Sequence, residues 1–137
     1  MQLDPSSFVA DPALIEALQR RSTPILCIED RVLFRQGDPS IGLFIVAKGS
    51  ATLSMVSWTG ASVMNIETAD NSLLGLPGLI GNEPYSLTAV ARAGADVRFV
   101  GREDFLSMMQ SEPQLALKIL AVLAAEVRSA RMAIKEQ

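Results

Sequence analysis

The chain has 137 residues and a net charge of −3; 49% of its residues are hydrophobic and only 5% are aromatic. This length suits one domain with a sizeable aliphatic core, and the mean hydropathy of +0.28 excludes a disordered chain. The pI of about 4.9 argues against a nucleic-acid-binding surface, which needs clustered Lys and Arg. No apolar run is long enough to span a membrane and no signal peptide opens the chain, so we expect a cytoplasmic protein that binds no membrane.

The lack of histidine and the single cysteine restrict the available chemistry. Without histidine there is no His-ligated metal or haem site and no Ser-His-Asp or Cys-His nucleophile. Cys27 alone cannot hold an iron–sulfur cluster, and its apolar run, residues 24–28, predicts a small buried hydrophobe instead of a redox switch. The carboxylates of Glu29-Asp30, Glu67 and Glu103-Asp104 occupy turn-like or exposed settings. We therefore expect no metal site, no catalytic residue and no enzyme activity.

The first helix is predicted over residues 11–22. Asp11 suits its cap and Pro12 suits its first helical position. Its apolar stripe consists of Ala13, Leu14, Ala17 and Leu18. Two arginines follow at the C-terminal end, where positive charge is favourable.

Residues 23–101 change to the pattern of short β-strands, in which apolar and β-branched runs alternate with Gly, Pro, Asp and Asn. Strands are predicted near 24–28, 31–35, 42–47, 51–57, 61–67, 87–92 and 96–101, and Ser72–Leu74 is a further candidate. Thr59-Gly60 is a candidate hairpin turn, with a partly exposed Trp58 beside it. Many short antiparallel strands close most easily as a jelly roll. The predicted fold is therefore mainly β with flanking helices, around a double-stranded β-helix (jelly-roll) barrel.

A segment rich in Gly and Pro, residues 71–90, lies between two strand-like runs. Gly75, Gly78 and Gly81 recur in it at helical spacing. Such a segment can bring backbone N–H groups close to a ligand, because glycine adds no side-chain bulk. The alternative is a wide surface turn between strands. These residues alone leave both interpretations open.

Helices are predicted again over residues 102–137, and the last one carries an apolar heptad pattern. The first should stop before Pro113, which then opens the long final helix. Steps of four and three connect Ala116, Leu120, Leu123, Val127, Ala130 and Ile134, while a second stripe, Leu115, Ile119 and Val122, covers only the first half. We interpret the longer stripe as the seam of a parallel homodimer, in which Glu126 meets Arg131 of the other copy. The alternative is a helix packed only on its own barrel.

Residues 31–137 resemble the cyclic-nucleotide-binding domain of the Crp/Fnr regulators. The resemblance rests on the order and spacing of three pieces. Residues 32–38 (VLFRQGD) and 43–51 (LFIVAKGSA) match the family's opening strands with a Gly turn and a Gly-ended hairpin. Residues 71–90 then lie where the family keeps its phosphate-binding cassette. The resemblance implies a jelly-roll sensor domain whose last helix is the dimer helix.

The resemblance also implies the ligand-binding positions, which are Gly75, Leu76, Pro77, Gly78, Ser86, Leu87 and Thr88. Ligand-binding members begin the cassette with Gly-Glu, and the Glu accepts a hydrogen bond from the ribose; here the pair is Gly75-Leu76. Near its end they have an Arg that pairs with the cyclic phosphate, followed by a small hydroxyl residue. Here Ser86 and Leu87 occupy those positions. We therefore expect no cofactor and no tight binding of cyclic AMP or cyclic GMP.

Taken with these departures, the resemblance implies a non-catalytic sensor or regulatory module with a small-molecule effector or none. Its pocket should be more apolar than the family norm, which favours an apolar effector or a pocket closed by its own side chains. Two alternatives stay open: a cyclic-nucleotide receptor with unusual contacts, and a pure dimerisation or scaffold domain. A helix-turn-helix domain follows the dimer helix in the regulators. Because this chain ends at Gln137, we expect it to bind no nucleic acid, either as a stand-alone sensor or as a piece of a longer protein.

Overall fold

The computed structural model describes residues 5–57 and 59–135, with side chains described for all of these except residues 7 and 129–135. Helices α1 to α4 span Pro12–Gln19, Leu76–Gly81, Arg102–Ser111 and Ala116–Lys135, and 3-10 turns occupy Pro5–Phe8 and Pro113–Leu115. Strands β1 to β8 span Thr23–Ile25, Arg31–Phe34, Gly42–Lys48, Ala51–Val56, Ser62–Glu67, Ser72–Leu74, Thr88–Ala91 and Asp96–Gly101. Each strand predicted from the sequence is present, including the short β6.

The eight strands form two four-stranded antiparallel sheets, in the orders β1-β8-β3-β6 and β2-β7-β4-β5. This confirms the mainly β jelly-roll architecture with a long C-terminal helix. Within the described residues the two sheets do not close into one continuous barrel, since no ladder joins a strand of one sheet to a strand of the other. The edge strands β1 and β6 have only three residues each, which leaves little backbone for pairing across the gap.

Strand β3 is buried on both faces and separates two hydrophobic clusters. Its residues Leu43 and Ile45 face the helices, in a cluster with α1, α3 and the first half of α4. Phe44 and Val46 alternate with them and pack in the second cluster, between the two sheets. This explains why the sequence of β3 reads as a continuous apolar run instead of alternating with polar residues.

The helices are tied to one another by polar contacts at their ends. Asp11 caps α1 as predicted, because its side chain accepts a hydrogen bond of 2.8 Å from the Ala13 N–H. Lys118 of α4 reaches the same carboxylate at 3.1 Å, and this hydrogen bond lowers the pKa of Asp11. At the other end of α1, Arg21 contacts Glu112 at 2.6 Å. The N-terminal helix and the two C-terminal helices are thus connected on one side of the sheets.

Element ends differ from the sequence prediction at a few points. Helix α1 stops at Gln19 instead of residue 22, and β1 stops at Ile25 instead of residue 28. Helix α3 ends before Pro113 as predicted, but Pro113 opens a 3-10 turn and the long helix begins at Ala116. The predicted hairpin is present, with the Gly60 N–H donating to Ser57 O at 2.8 Å. The prediction for Trp58 lies outside the described residues.

Cys27 is buried among apolar side chains between the sheets, as predicted. This burial raises the pKa of its thiol. A raised thiol pKa disfavours the reactive thiolate. Neither α4 nor any other described helix has the length and apolarity that crossing a bilayer requires.

Candidate functional site

The segment that follows β6 turns into the short helix α2 through a glycine. Gly75 has φ of +90° and ψ of 5°, a conformation that disfavours other residues. A Cβ built on Gly75 would lie 3.0 Å from Tyr85 Cε1 and 3.2 Å from the carbonyl oxygen of Gly42. A Cβ on Gly78 would collide with the hydroxyl of Ser40. Both glycines are therefore required by close packing of this cassette on the rest of the domain.

Tyr85 fastens the far end of the cassette to the start of β3. Its hydroxyl donates to the carbonyl oxygen of Gly42 at 2.9 Å and accepts from the Ile41 N–H at 3.1 Å. Its ring stacks on Phe34 with the ring centroids 4.0 Å apart. Tyr85 is almost fully buried, so these contacts fix the position of the cassette over the inner sheet surface.

A cavity of about 170 Å³ lies beneath the cassette, between the inner faces of the strands and helix α4. Its walls are mainly apolar and aromatic. They consist of Phe8, Phe34, Met55, Leu74, Gly75, Pro77, Gly78, Tyr85, Ser86, Leu87 and Glu126. The cavity is somewhat smaller than the roughly 300–1,000 Å³ of pockets for drug-sized ligands.

Five of the seven predicted ligand-binding residues line this cavity, namely Gly75, Pro77, Gly78, Ser86 and Leu87. The other two do not. Leu76 is fully buried in the cluster between the first sheet and the helices. The Thr88 hydroxyl accepts a hydrogen bond of 2.9 Å from the Gln36 N–H.

Glu126 is the only charged residue among the described residues that line the cavity. Within the described part of the chain, no hydrogen bond or ion pair joins its carboxyl group to another residue. Burial raises the pKa of Glu126 to about 8. Arg92, the nearest cation after the cassette, is half exposed and lies 3.7 Å from Glu67 and 3.9 Å from Asp30. It does not line the cavity.

Helix α4 is rotated relative to the predicted seam. Leu120 and Val127 are exposed, as a seam to a second copy requires, but Ala116 and Leu123 are half-buried and Leu123 packs on the core. The exposed apolar row is instead Leu117, Leu120, Ala124 and Val127, and Leu117 is 75% exposed. The side chains of Ala130, Arg131 and Ile134 lie outside the described ones. Leu115, Ile119 and Val122 are buried against the core, and this sets the orientation of α4. The exposed apolar residues are therefore not those of the predicted seam.

Glu126 lies on the barrel side of α4, and its predicted partner across the seam, Arg131 of the other copy, has a side chain outside the described ones. Glu126 follows Leu115, Ile119 and Val122 at steps of four, three and four, so it lies on the face of α4 that packs on the barrel. If the buried stripe of Leu115, Ile119 and Val122 is continued by one more helical step, the sequence alone predicts that Glu126 faces the barrel. Phe8, Phe34, Met55 and Leu74 were also missed, because apolar residues in separate elements give no sign that they share one cavity.

Among the described residues, no group of three or more Cys, Asp and Glu side chains is placed to hold a metal ion. The described lining of the cavity offers one carboxyl group and one serine hydroxyl as polar side-chain groups, apart from the tyrosine hydroxyl bound to Gly42. The arrangement suits the binding of a small, largely apolar molecule.

The family model of the cyclic nucleotide-binding domain matches residues 27–112. The cyclic AMP receptor protein of Thermus thermophilus is 29% identical over 112 residues, which are 82% of this chain and 50% of that protein. The chain therefore spans about half the length of this curated relative.

Solved structures share the fold. The catabolite activator protein of Thermus thermophilus superimposes with a TM-score of 0.78 at 23% identity, over 96% of this chain and 62% of that one. The c-di-GMP responsive global regulator CLP of Xanthomonas campestris gives 0.74 at 19% identity, over 92% and 62%. The N-terminal domain of a transcriptional regulator from Streptomyces coelicolor gives 0.66 at 22% identity, over 93% and 91%. The chain belongs to the cyclic nucleotide-binding domain family, in its Crp/Fnr type, as the resemblance of its strands and cassette predicted.

Proposed function

We propose that this chain is a non-catalytic effector-sensing module of a Crp-type regulator, and that it does not bind cyclic AMP or cyclic GMP in the family's usual way. Membership of the family and the likeness to Crp-type regulators support the regulatory role. The cavity under the cassette is the effector site. No nucleic acid is expected to bind the acidic chain itself, which carries a net charge of −3.

The observation that carries the proposal is the absence of any Arg or Lys among the described residues lining the cavity. A cyclic phosphate is an anion, and burying it without a cation costs several kcal/mol. A hydrogen bond to a charged group contributes roughly 1.5–3 kcal/mol, so the loss of two such contacts weakens binding by about two to four decades. Ser86, at the position of the family's Arg, offers only a hydroxyl group.

Glu126 further disfavours the binding of an anionic ligand in the cavity. Glu126 lines the same cavity as Ser86 and Leu87. Once it loses its proton, at a pH above about 8, it repels a phosphate directly. Below that pH it is neutral and supplies no positive charge to replace the missing Arg.

Titration calorimetry with cyclic AMP and cyclic GMP tests the proposal, with the cyclic AMP receptor protein of Thermus thermophilus as the matched positive control. We expect no saturable heat with this chain at micromolar concentrations. Saturable binding with a Kd near 1 μM, equivalent to about −8 kcal/mol, would overturn the proposal and favour a cyclic-nucleotide receptor with unusual contacts.

The proposal includes pairing with a second copy of this chain through the exposed row of α4. Leu117, Leu120 and Val127 are 75%, 56% and 51% exposed, and with Ala124 they follow heptad steps of three and four. An apolar row of this kind on one face of a long helix fits an identical helix beside it, which buries the same residues from both copies. Such pairing would place two effector cavities on either side of one helical seam.

A further inference from the structure

The chemistry of the cavity narrows the effector to one class of molecule. We propose that the cavity takes a small, uncharged, largely apolar ligand with one hydrogen-bond acceptor, and that the Glu126 carboxyl group, in its protonated form, donates a hydrogen bond to that acceptor. This inference rests on the proposed effector site and adds to it the ligand class and the residue that selects it.

The size and walls of the cavity favour a compact apolar molecule. Phe8, Phe34, Met55 and Leu87 present hydrocarbon, ring and thioether surface to a space of about 170 Å³. An apolar cavity of about 150 Å³ in another protein is large enough for benzene. The space here therefore suits a ligand with a single ring or an equivalent branched chain.

The hydrogen-bond donor is fixed by the location of Glu126 on α4. Glu126 lines the cavity, and its carboxyl group has no partner within the described part of the chain. The protonated carboxyl group is partly buried and has a free donor, so a ligand acceptor that accepts a hydrogen bond from it gains affinity. The raised pKa of Glu126, about 8, keeps the carboxyl group protonated near pH 7.

Apart from the Ser86 hydroxyl, whose donor strength does not change near pH 8, no other described group near the cavity competes for this role. The 3-10 turn Pro5–Phe8 and strand β4 carry no titratable side chain. In the cassette Glu83 does not line the cavity, and the Tyr85 hydroxyl is held by Gly42. Arg31 of β2 lines a different pocket.

The other charged groups of α4 whose side chains are described lie away from the cavity. Lys118 pairs with Asp11 at 3.1 Å, and Arg128 is exposed. With no described cation in the cavity, an anionic ligand is disfavoured. A cationic ligand is disfavoured as well near pH 7, because Glu126 would first have to release its proton.

Four probes of matched shape separate the ligand classes: acetophenone (neutral acceptor), isopropylbenzene (apolar), 1-phenylethylamine (cation) and benzoate (anion). Binding is followed by chemical-shift changes of the labelled protein at up to about 10 mM probe, since ligands of this size bind in the millimolar range. At pH 6.5 we expect acetophenone to bind about fivefold more tightly than isopropylbenzene, as one added hydrogen bond predicts.

The pH profile identifies the protonated carboxyl group. For a donor with a pKa of about 8 whose hydrogen bond is worth about fivefold in affinity, acetophenone should bind about threefold more weakly at pH 9 than at pH 7. Glu126→Gln keeps a donor at both values and should remove this dependence, whereas Glu126→Leu should remove the preference for acetophenone over isopropylbenzene. Glu29→Gln changes an exposed carboxyl group far along the chain from the cassette and should alter neither result.

Several outcomes overturn the inference. Preference for 1-phenylethylamine would mean that the carboxylate recognises a cation, and preference for benzoate would mean an anion site. No shifts with any probe would show that the cavity does not take this class. The probe experiment tests only the ligand class, whereas the calorimetry with cyclic nucleotides tests the proposed function. A failure of one proposal can therefore be distinguished from a failure of the other.

Discussion

Glu126 occupies a place on α4 that the preceding members of its row fill with apolar side chains. Leu115, Ile119 and Val122 are buried against the barrel, and the next residue at the same spacing is an acid. Desolvation raises the pKa of Glu126 from 4.5 to about 8. A structural role alone would be served better by leucine at this position, which is in keeping with the proposed role of the acid toward a ligand.

The raised pKa of Glu126 predicts a change of stability with pH. The folded protein keeps this proton between pH 4.5 and about 8, where the unfolded chain has released it. The contribution of Glu126 to the free energy of unfolding is therefore fully present below pH 4.5 and is lost as the pH rises to about 8. Its size is on the order of a few kcal/mol, since one pKa unit corresponds to about 1.4 kcal/mol.

Urea unfolding at pH 5, 6.5 and 8 measures this effect. We expect Glu126→Gln to flatten the decline in the free energy of unfolding across this range. Glu29→Gln, which removes an exposed carboxyl group, is the control and should follow the unchanged protein. Equal slopes for all three proteins would show that Glu126 titrates as an ordinary surface acid.

Among the elements, the cassette depends on tertiary contacts more than any other, because α2 has only six residues and no side chain caps its start. An isolated helix this short is unstable in water. Its position comes from the Gly75 turn, from the close contact of Gly78 with Ser40 and from the Tyr85 hydrogen bonds to β3. The cassette therefore forms the roof of the cavity only while its two ends are held by the sheet.

Gly75→Ala tests how strongly the cassette is held, with Gly94→Ala as a matched control. Both glycines have positive φ, +90° and +84°, but only Gly75 has neighbours within 4 Å of an added Cβ. We expect Gly94→Ala to lower the free energy of unfolding by about 1 kcal/mol through backbone strain alone. Gly75→Ala should lower it by roughly 2–3 kcal/mol, because steric overlap is added to that strain.

Chemical denaturation of the two alanine variants gives the comparison directly. Equal losses for Gly75→Ala and Gly94→Ala would mean that the cassette moves freely to admit the methyl group. That result would contradict a roof fixed by Tyr85 and Gly42.

Over the whole molecule, helix α4 has one face packed on the barrel and one apolar face that is exposed. The barrel-facing row completes the cluster with α1 and α3, while Leu117, Leu120 and Val127 remain exposed. A large apolar side chain contributes roughly 1.5–3 kcal/mol when fully buried. Several such residues from each of two copies would supply enough free energy for a stable seam, in keeping with the proposed pairing.

Leu120→Lys with Val127→Lys should convert the protein to a monomer, as measured by light scattering at about 100 μM. The control pair, Ile41→Lys with Leu106→Lys, changes residues that are 61% and 48% exposed but lie outside α4. It should leave the mass unchanged. A single Leu117→Lys should also weaken pairing, because the structure assigns Leu117 to the exposed row in place of Ala116.

A monomeric mass for the unchanged protein would contradict the pairing through α4. So would a dimer that resists the Leu120 and Val127 substitutions. In either case the exposed row would need another explanation, and the cavity would have to act without a second copy.

The sequence alone determined the eight strands, the cap at Asp11, the stop before Pro113 and the place of the cassette. Each depends on neighbours within a few residues: alternation along a strand, the fixed φ of proline, or the freedom of glycine. The departures at Leu76 and Ser86 were also readable, because the family pattern assigns a residue type to each position. Local sequence patterns and the family resemblance were sufficient to predict the architecture and five of the residues that line the cavity.

Only the tertiary structure decided which face of α4 packs on the barrel and which residues line the cavity. Two apolar stripes share α4, and the choice between them depends on how the helix crosses distant strands and the turn that holds Phe8. The same packing turns Leu76 into the core, places Glu126 under the cassette and leaves the two sheets unclosed. These outcomes follow from contacts between residues far apart in the chain, and only the side of α4 that carries Glu126 could also have been inferred from local spacing.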